Sequence, residues 1–195
     1  MPIKEDIKIV KEETKSYPPL PENIYQVELL DVSSKRAETY NSKLENKGEK
    51  EYETLLQFQY TLLAGKNKEG ESLRLRNVWD NFVPASLYIG RNGKNRLYKI
   101  VEALLERELT QEEEANGIDK DFLNELIGRQ MRIGTFNKTS KSGDKVFTNA
   151  DTYYPAEVQM VGLTDEEREE VTVKDKKDDT ESQEEEVTDE DTPNF

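Results

Sequence analysis

In "RLYKIVEALLERELT" (96–110) the apolar residues Leu97, Ile100, Val101, Leu104 and Leu105 recur at steps of three and four, the period of an amphipathic helix. On either side of that run the period is two. Tyr25, Val27 and Leu29 share one face of a first strand starting at Ile24, and Leu56, Phe58, Tyr60 and Leu62 share one face of a second within 52–65. In "LRLRNVW" (73–79), Leu73 and Leu75 alternate with Arg74 and Arg76, which predicts a third strand. Alternation returns after the helix in "RQMRIGTFNK" (129–138) and "KVFTNADTYYPAEV" (145–158), joined by the turn "TSKSGD" (139–144). A switch from period two to 3.6 and back restricts the chain to three strands, a helical insert and two more strands.

Between these elements lie turn and capping signals. The stretch 33–51 is a polar loop or an extended hairpin, and "GKNKEGES" (65–72) is a turn. Thr110 before "QEEE" has the form of a cap with acids in the first turn of a short helix. "DKDFLNELIG" (119–128) is helical until Gly128 stops it. The expected fold is mainly β: a five-stranded Greek-key barrel of the OB-fold kind, with a helical insert between strands 3 and 4. A different small β-barrel with a helical cap fits nearly as well. The domain reading is an N-terminal extension (1–22) ending in the proline-rich "YPPLPEN", an OB-like body (23–164), and a disordered acidic tail (165–195) in which nothing periodic remains.

Charge is distributed unevenly along the 195 residues, whose formal net charge is −14. Residues 165–195 hold 15 acids and 4 bases, and 100–126 hold 9 acids and 2 bases. Residues 23–99 and 127–164 together carry 18 bases against 13 acids, so the body outside the helical insert is mildly basic. The chain has neither cysteine nor histidine, which removes disulfides, thiol nucleophiles, Cys/His metal sites and the commonest general base. The expectation is a binding protein rather than an enzyme, with no cofactor and no metal. No apolar run is long enough to span a bilayer, and "MPIKEDIKIVKEE" lacks the apolar segment of a signal peptide, so the chain is expected to be soluble and cytoplasmic.

Candidate binding residues follow from strand faces. Arg132, Phe136 and Lys138 alternate with Met131, Ile133 and Thr135, while Lys145, Phe147, Asn149, Asp151 and Tyr153 are expected on one face of the last strand. Arg74 and Arg76 add positive charge from the third. Cations that track phosphates beside rings that stack on bases suit single-stranded nucleic acid. Phe136 and Phe147 are also readable as core residues. In an OB-fold the loop after strand 1 and the last hairpin flank the groove, which nominates Lys35, Arg36 and Tyr40 on one side and Lys138, Lys141 and Lys145 on the other. The cluster Arg91, Lys94, Arg96 and Lys99 in "GRNGKNRLYK" lacks the Gly-Lys-Ser/Thr ending of a phosphate-cradling loop and reads as the start of the helix, within reach of phosphate. Trp79 reads as core.

The body from "YPPLPENIYQVELLDV" to "TNADTYYPAEV", together with the ending "DEDTPNF", resembles the single-stranded DNA-binding proteins of bacteria and their phages, most of all the phage branch. The resemblance implies sequence-tolerant binding and protection of single-stranded DNA in replication, recombination or repair. It implies further that Asp189, Glu190, Asp191, Pro193 and Phe195 form a tip that docks on replication or recombination proteins. Asn194 between Pro193 and Phe195, and Thr192 in place of an aliphatic residue, depart from the bacterial pattern. Family members are monomers, dimers or tetramers, so a homo-oligomer is compatible. Two other readings stand beside this one: a protein-interaction adaptor whose acidic tail mimics DNA, and a mediator acting on a recombinase.

Overall fold

The computed structural model describes residues 18–38, 52–91, 93–140, 143 and 146–172. Within them are seven strands and four helical segments; the five long strands and the three helices between them follow the order expected from periodicity, and a short ribbon and a last helical run are additional. Strands β1 (Ile24–Glu38), β2 (Tyr52–Leu62) and β3 (Asn77–Pro84) precede a two-stranded ribbon, β4 (Ile89–Gly90) with β5 (Gly93–Lys94). Helices α1 (Arg96–Leu105), α2 (Gln111–Asn116) and α3 (Lys120–Glu125) follow, then β6 (Gln130–Thr139), β7 (Val146–Pro155) and a helical run α4 over 165–172. Among the described residues no helix is long and apolar enough to cross a membrane.

The large sheet is antiparallel with strand order β3-β2-β1-β6-β7. It is not closed into a barrel, because no ladder joins its outer strands β3 and β7. Both outer strands carry a bulge. Gln57 of β2 faces two residues of β3, Asn81 and Phe82, and Asp151 of β7 is extra between Ala150 and Thr152. A bulge bends the strand and interrupts the regular ladder a neighbour would need.

One face of the sheet buries Tyr25, Val27, Leu29, Leu56, Phe58, Tyr60, Leu62, Met131 and Ile133, and α1 covers it. Helix α1 contributes Leu97, Ile100, Val101 and Leu104, the stripe legible in its sequence, and is capped by Asn95, whose side chain accepts from the Tyr98 amide. Thr110 and Glu113 form a capping box on α2. Helix α3 is capped by Asp119 and buries Leu123. Gly128, at φ 85°, turns the chain into β6 while its amide donates to the Leu29 carbonyl.

Two expectations are corrected and one open alternative is decided. The third strand begins at Asn77, not Leu73. Residues 73–76 form a turn in which Leu75 has φ 68° and the Arg76 amide donates to the Leu73 carbonyl, so the Leu/Arg alternation there is not a strand pattern. The stretch expected as loop or extended hairpin is hairpin as far as it is described: β1 runs on to Glu38 and pairs with β2 from Tyr52. The chain also stays ordered past Leu163. Residues 158–172 run back over the outer face of β1 and β6, where Gln26 donates to the Val158 carbonyl and Gln130 exchanges two hydrogen bonds with Met160. Buried Glu28 accepts from the Leu163 amide at 3.0 Å and pairs with Arg168 at 2.5 Å, while Val171 is buried. Polar residues on a second sheet face thus acquire a cover that a search for apolar periodicity does not find.

Candidate nucleic-acid interface

A groove of about 600 Å³ runs between the start of β3 and the tip of the β6–β7 hairpin. Arg76, Trp79 and Phe82 line one wall, and Lys138, Phe147 and Asn149 the other. Pro18 and Pro19 close one end, held by Leu20, which is buried and whose amide donates to Thr148 Oγ1. The proline-rich segment expected as an extension is therefore part of the groove.

The two walls arise from register. In β6 and β7, Lys138 is paired with Phe147 and Phe136 with Asn149, so these four side chains stand on the outer face. Their neighbours Thr135 and Ala150 are buried beneath. On β3, Val78 and Asp80 point inward and Trp79 outward. The bulge then places Phe82 outside with φ 64°, while Val83 returns to the core. A left-handed backbone at a bulky residue costs about 1 to 2 kcal/mol. Here that cost leaves a phenyl ring 68% exposed at the rim of a groove.

The expected site residues separate into groups. Arg76, Lys138 and Phe147 come together in the groove, and Arg76 also donates to the Pro18 carbonyl. Phe147 (51% exposed) and Phe136 (36%) both stand at the surface, which settles the core alternative against both. Phe136, however, lines a neighbouring concavity. Lys35 and Arg36 are exposed on the hairpin extension of β1, away from the groove lining, with the Arg36 guanidinium 4.8 Å from the centre of the Tyr52 ring. Arg132 is engaged by Glu157 at 2.9 Å and lies over the Tyr154 ring. Arg74 is not on a strand and does not face the groove: it forms a bidentate pair with Glu167 of α4 and donates to the Leu63 carbonyl. Tyr40, Lys141 and Lys145 lie outside the described residues, as do Asp189, Glu190, Asp191, Pro193 and Phe195.

Tyr153 is corrected too. Strict alternation puts it beside Phe147, but the extra residue Asp151 reverses the faces, so Tyr153 pairs with buried Ile133 and Tyr154 pairs with Arg132. The Tyr153 hydroxyl donates to the Asp80 carboxylate and accepts from Arg96 Nε at 2.7 Å. Arg96 Nη2 lies 2.5 Å from Asp80 Oδ1 and also donates to the Ala150 carbonyl. This cluster bridges β3, α1 and β7 across the gap between the outer strands. Burial pushes the Asp80 carboxyl up to about 6, against the opposing pull of Arg96 and the Tyr153 hydrogen bond. Burial and the neighbouring Asp80 charge push the Tyr153 hydroxyl up as well.

Sequence reasoning assigned Trp79 to the core and passed over Phe82. A signal for Trp79 was present: an acid at Asp80, in the inward register set by Val78, marks a buried polar cluster and turns Trp79 outward. Nothing local signals the bulge at Phe82. The groove thus offers two cations and three aromatic rings, the set that holds a flexible polyanion with exposed ring faces. Comparison of the chain with protein-family models, with curated proteins and with solved structures finds no match.

Proposed function

We propose that this chain binds single-stranded DNA without sequence preference, in the groove between β3 and the β6–β7 hairpin. The observation that carries the reading is the convergence of Arg76 and Lys138 with Trp79, Phe82 and Phe147 in one open groove, with Phe82 held exposed on a strained backbone. Rings present their faces to unpaired bases, and the two cations neutralise phosphates. In a duplex the base faces are already stacked on one another, so the same groove discriminates against it.

The body is read as OB-like. Strand order β3-β2-β1-β6-β7, with the helical insert between β3 and β6, is the connectivity of that fold with its closing pair left open. Side chains of Asp80, Arg96 and Tyr153 stand where the closing ladder would be. The setting of the reading is phage or bacterial replication, recombination or repair in the cytoplasm. The acidic tip with Phe195 then recruits a replication or recombination protein, with the ring as an apolar anchor.

The test is fluorescence anisotropy with labelled single-stranded DNA, single-stranded RNA and duplex DNA over a salt series. The expected result is tighter binding to single-stranded DNA than to duplex, falling with salt at a slope that reports a few phosphate contacts. Equal affinity for duplex overturns stacking. No binding at low salt, in the full chain and in a chain ending at Thr172, favours the protein-interaction adaptor. Capture of a replication protein that survives deletion of Phe195 removes the tip's role.

A further inference from the structure

The cluster Arg91, Lys94, Arg96 and Lys99 is not absorbed by the groove, and the fold gives it a concavity of its own. A space of about 450 Å³ lies between the β4–β5 ribbon with the first turn of α1 on one side and β7 on the other. Two of the four cations are already engaged. Lys94 pairs with Glu102 at 2.6 Å and with Glu108 at 3.5 Å, and Arg96 belongs to the Asp80–Tyr153 cluster. Arg91 and Lys99 stand exposed at the rim. The rings of Tyr88 (54% exposed) and Phe136 line the same space, with the Asp151 carboxylate on the β7 side.

This concavity begins where the groove ends. Asn149 lines the groove and the next residue, Ala150, lines the second space. Phe136 is the cross-strand partner of Asn149, two residues along β6 from Lys138, a distance of about 7 Å. A strand lying in the groove therefore leaves it directly over Phe136.

We propose that the second concavity is a further subsite for the same single strand. A phosphate beyond the groove sits on Arg91 and Lys99, and its base lies against Tyr88 and Phe136. Asp151 repels phosphate from the β7 wall and accepts from a base N–H, the ring N3–H in thymine, which orients the nucleotide with its base toward β7. This inference rests on the single-stranded DNA reading of the groove, and it predicts that the footprint extends past the β6–β7 hairpin.

The test uses the full chain and oligothymidylates from about 4 to about 16 nucleotides, the range of site sizes for such folds. Arg91→Glu/Lys99→Glu is expected to match the wild type on the shortest oligomers, which the groove alone holds. It loses on the order of tenfold on the longest, as expected for two phosphate contacts and a stacking platform. Lys138→Glu, in the groove, weakens binding at every length. A double variant that follows the wild type at all lengths overturns the subsite while leaving the groove reading intact. So does a loss that is equal at all lengths, which is bulk charge and not a subsite. Wild-type protein that binds no oligomer overturns the subsite together with the reading beneath it.

Discussion

Phe82 sets binding against stability at a single position. Its backbone lies in the left-handed region, where glycine carries no steric penalty, and its ring is exposed. Phe82→Gly is therefore expected to keep or raise the melting temperature while weakening single-stranded DNA binding on the order of tenfold, one stacked base's worth. Paired melting and anisotropy measurements decide it, and unchanged binding would remove the ring from the interface. Phe147→Ala, at an exposed and unstrained position, is expected to lose about 1 to 3 kcal/mol of binding with little change in stability. Asp80 titrates near 6 in the fold against 3.8 in the unfolded chain. Between those values the folded protein holds a proton that the unfolded chain has released, so this group makes stability fall as pH rises through the window and adds no slope above it. The gap corresponds to about 3 kcal/mol. Urea unfolding at pH 4 to 7 is expected to show the wild type losing about that much relative to Asp80→Asn. A level difference would mean that Arg96 and Tyr153 fully offset the burial.

At the level of elements, the segment after Leu163 carries a stability prediction. A chain ending at Thr164 strips Arg168 from buried Glu28, Glu167 from Arg74, and the buried Val171 from its site. Arg168 is partly exposed, so solvent screening reduces the cost of unpairing Glu28 to about 2 kcal/mol, and loss of Val171 burial adds about 1. A chain ending at Thr172 is expected to unfold like the full chain, and the shorter one at lower urea. Glu28→Gln in the shorter chain is expected to recover part of the loss. The same segment shows why periodicity finds some elements and misses others. Leu56, Phe58, Tyr60 and Leu62 were legible because each ring or chain is largely apolar and the extra residues of the adjoining bulges fall on β1 and β3, which leaves the alternation of β2 intact. The cover over β1 and β6 is held by main-chain groups of Val158, Met160 and Leu163, which carry no side-chain signature. Leu73 to Arg76 has the period of a strand, and the left-handed Leu75 and the hydrogen bonds to Leu62 and Gly65, none of them written in the apolar pattern, make it a turn. Of the candidate residues, those on unbulged stretches, Lys138 and Phe147, stand on the strand face that alternation predicts. Tyr153, one residue past the bulge pair Asp151–Thr152, was placed on the wrong face.

For the whole molecule, charge separation is the organising quantity. Residues 173–195 carry 10 acids and 3 bases on a chain whose body is mildly basic only outside the acidic stretch 100–126. Arg74, two residues from Arg76 at the groove wall, is tied to Glu167 of α4, the element that precedes the acidic residues in sequence. A chain ending at Thr172 is expected to bind single-stranded DNA several-fold more tightly than the full chain at low salt. The advantage should vanish as the Debye length falls below about 8 Å. An advantage that persists in high salt would point to a contact other than charge.

The open gap between β3 and β7 also sets the order in which the molecule comes apart. Strand β1 is flanked by β6 along Ile24–Glu28 and by β2 along Val27–Glu38, so its middle is paired on both sides, whereas the facing edges of β3 and β7 are bridged by three side chains, Asp80, Arg96 and Tyr153. A seam stitched at one cluster opens at lower free energy than a zip of main-chain bonds. Amide hydrogen exchange should therefore run in two tiers, with the facing edges of β3 and β7 exchanging through a partial opening and the doubly paired stretch of β1, Val27 to Leu29, only on global unfolding. Because the groove lies along that seam, a bound strand spanning both walls should slow the fast tier selectively, acting as the thread that the backbone does not supply.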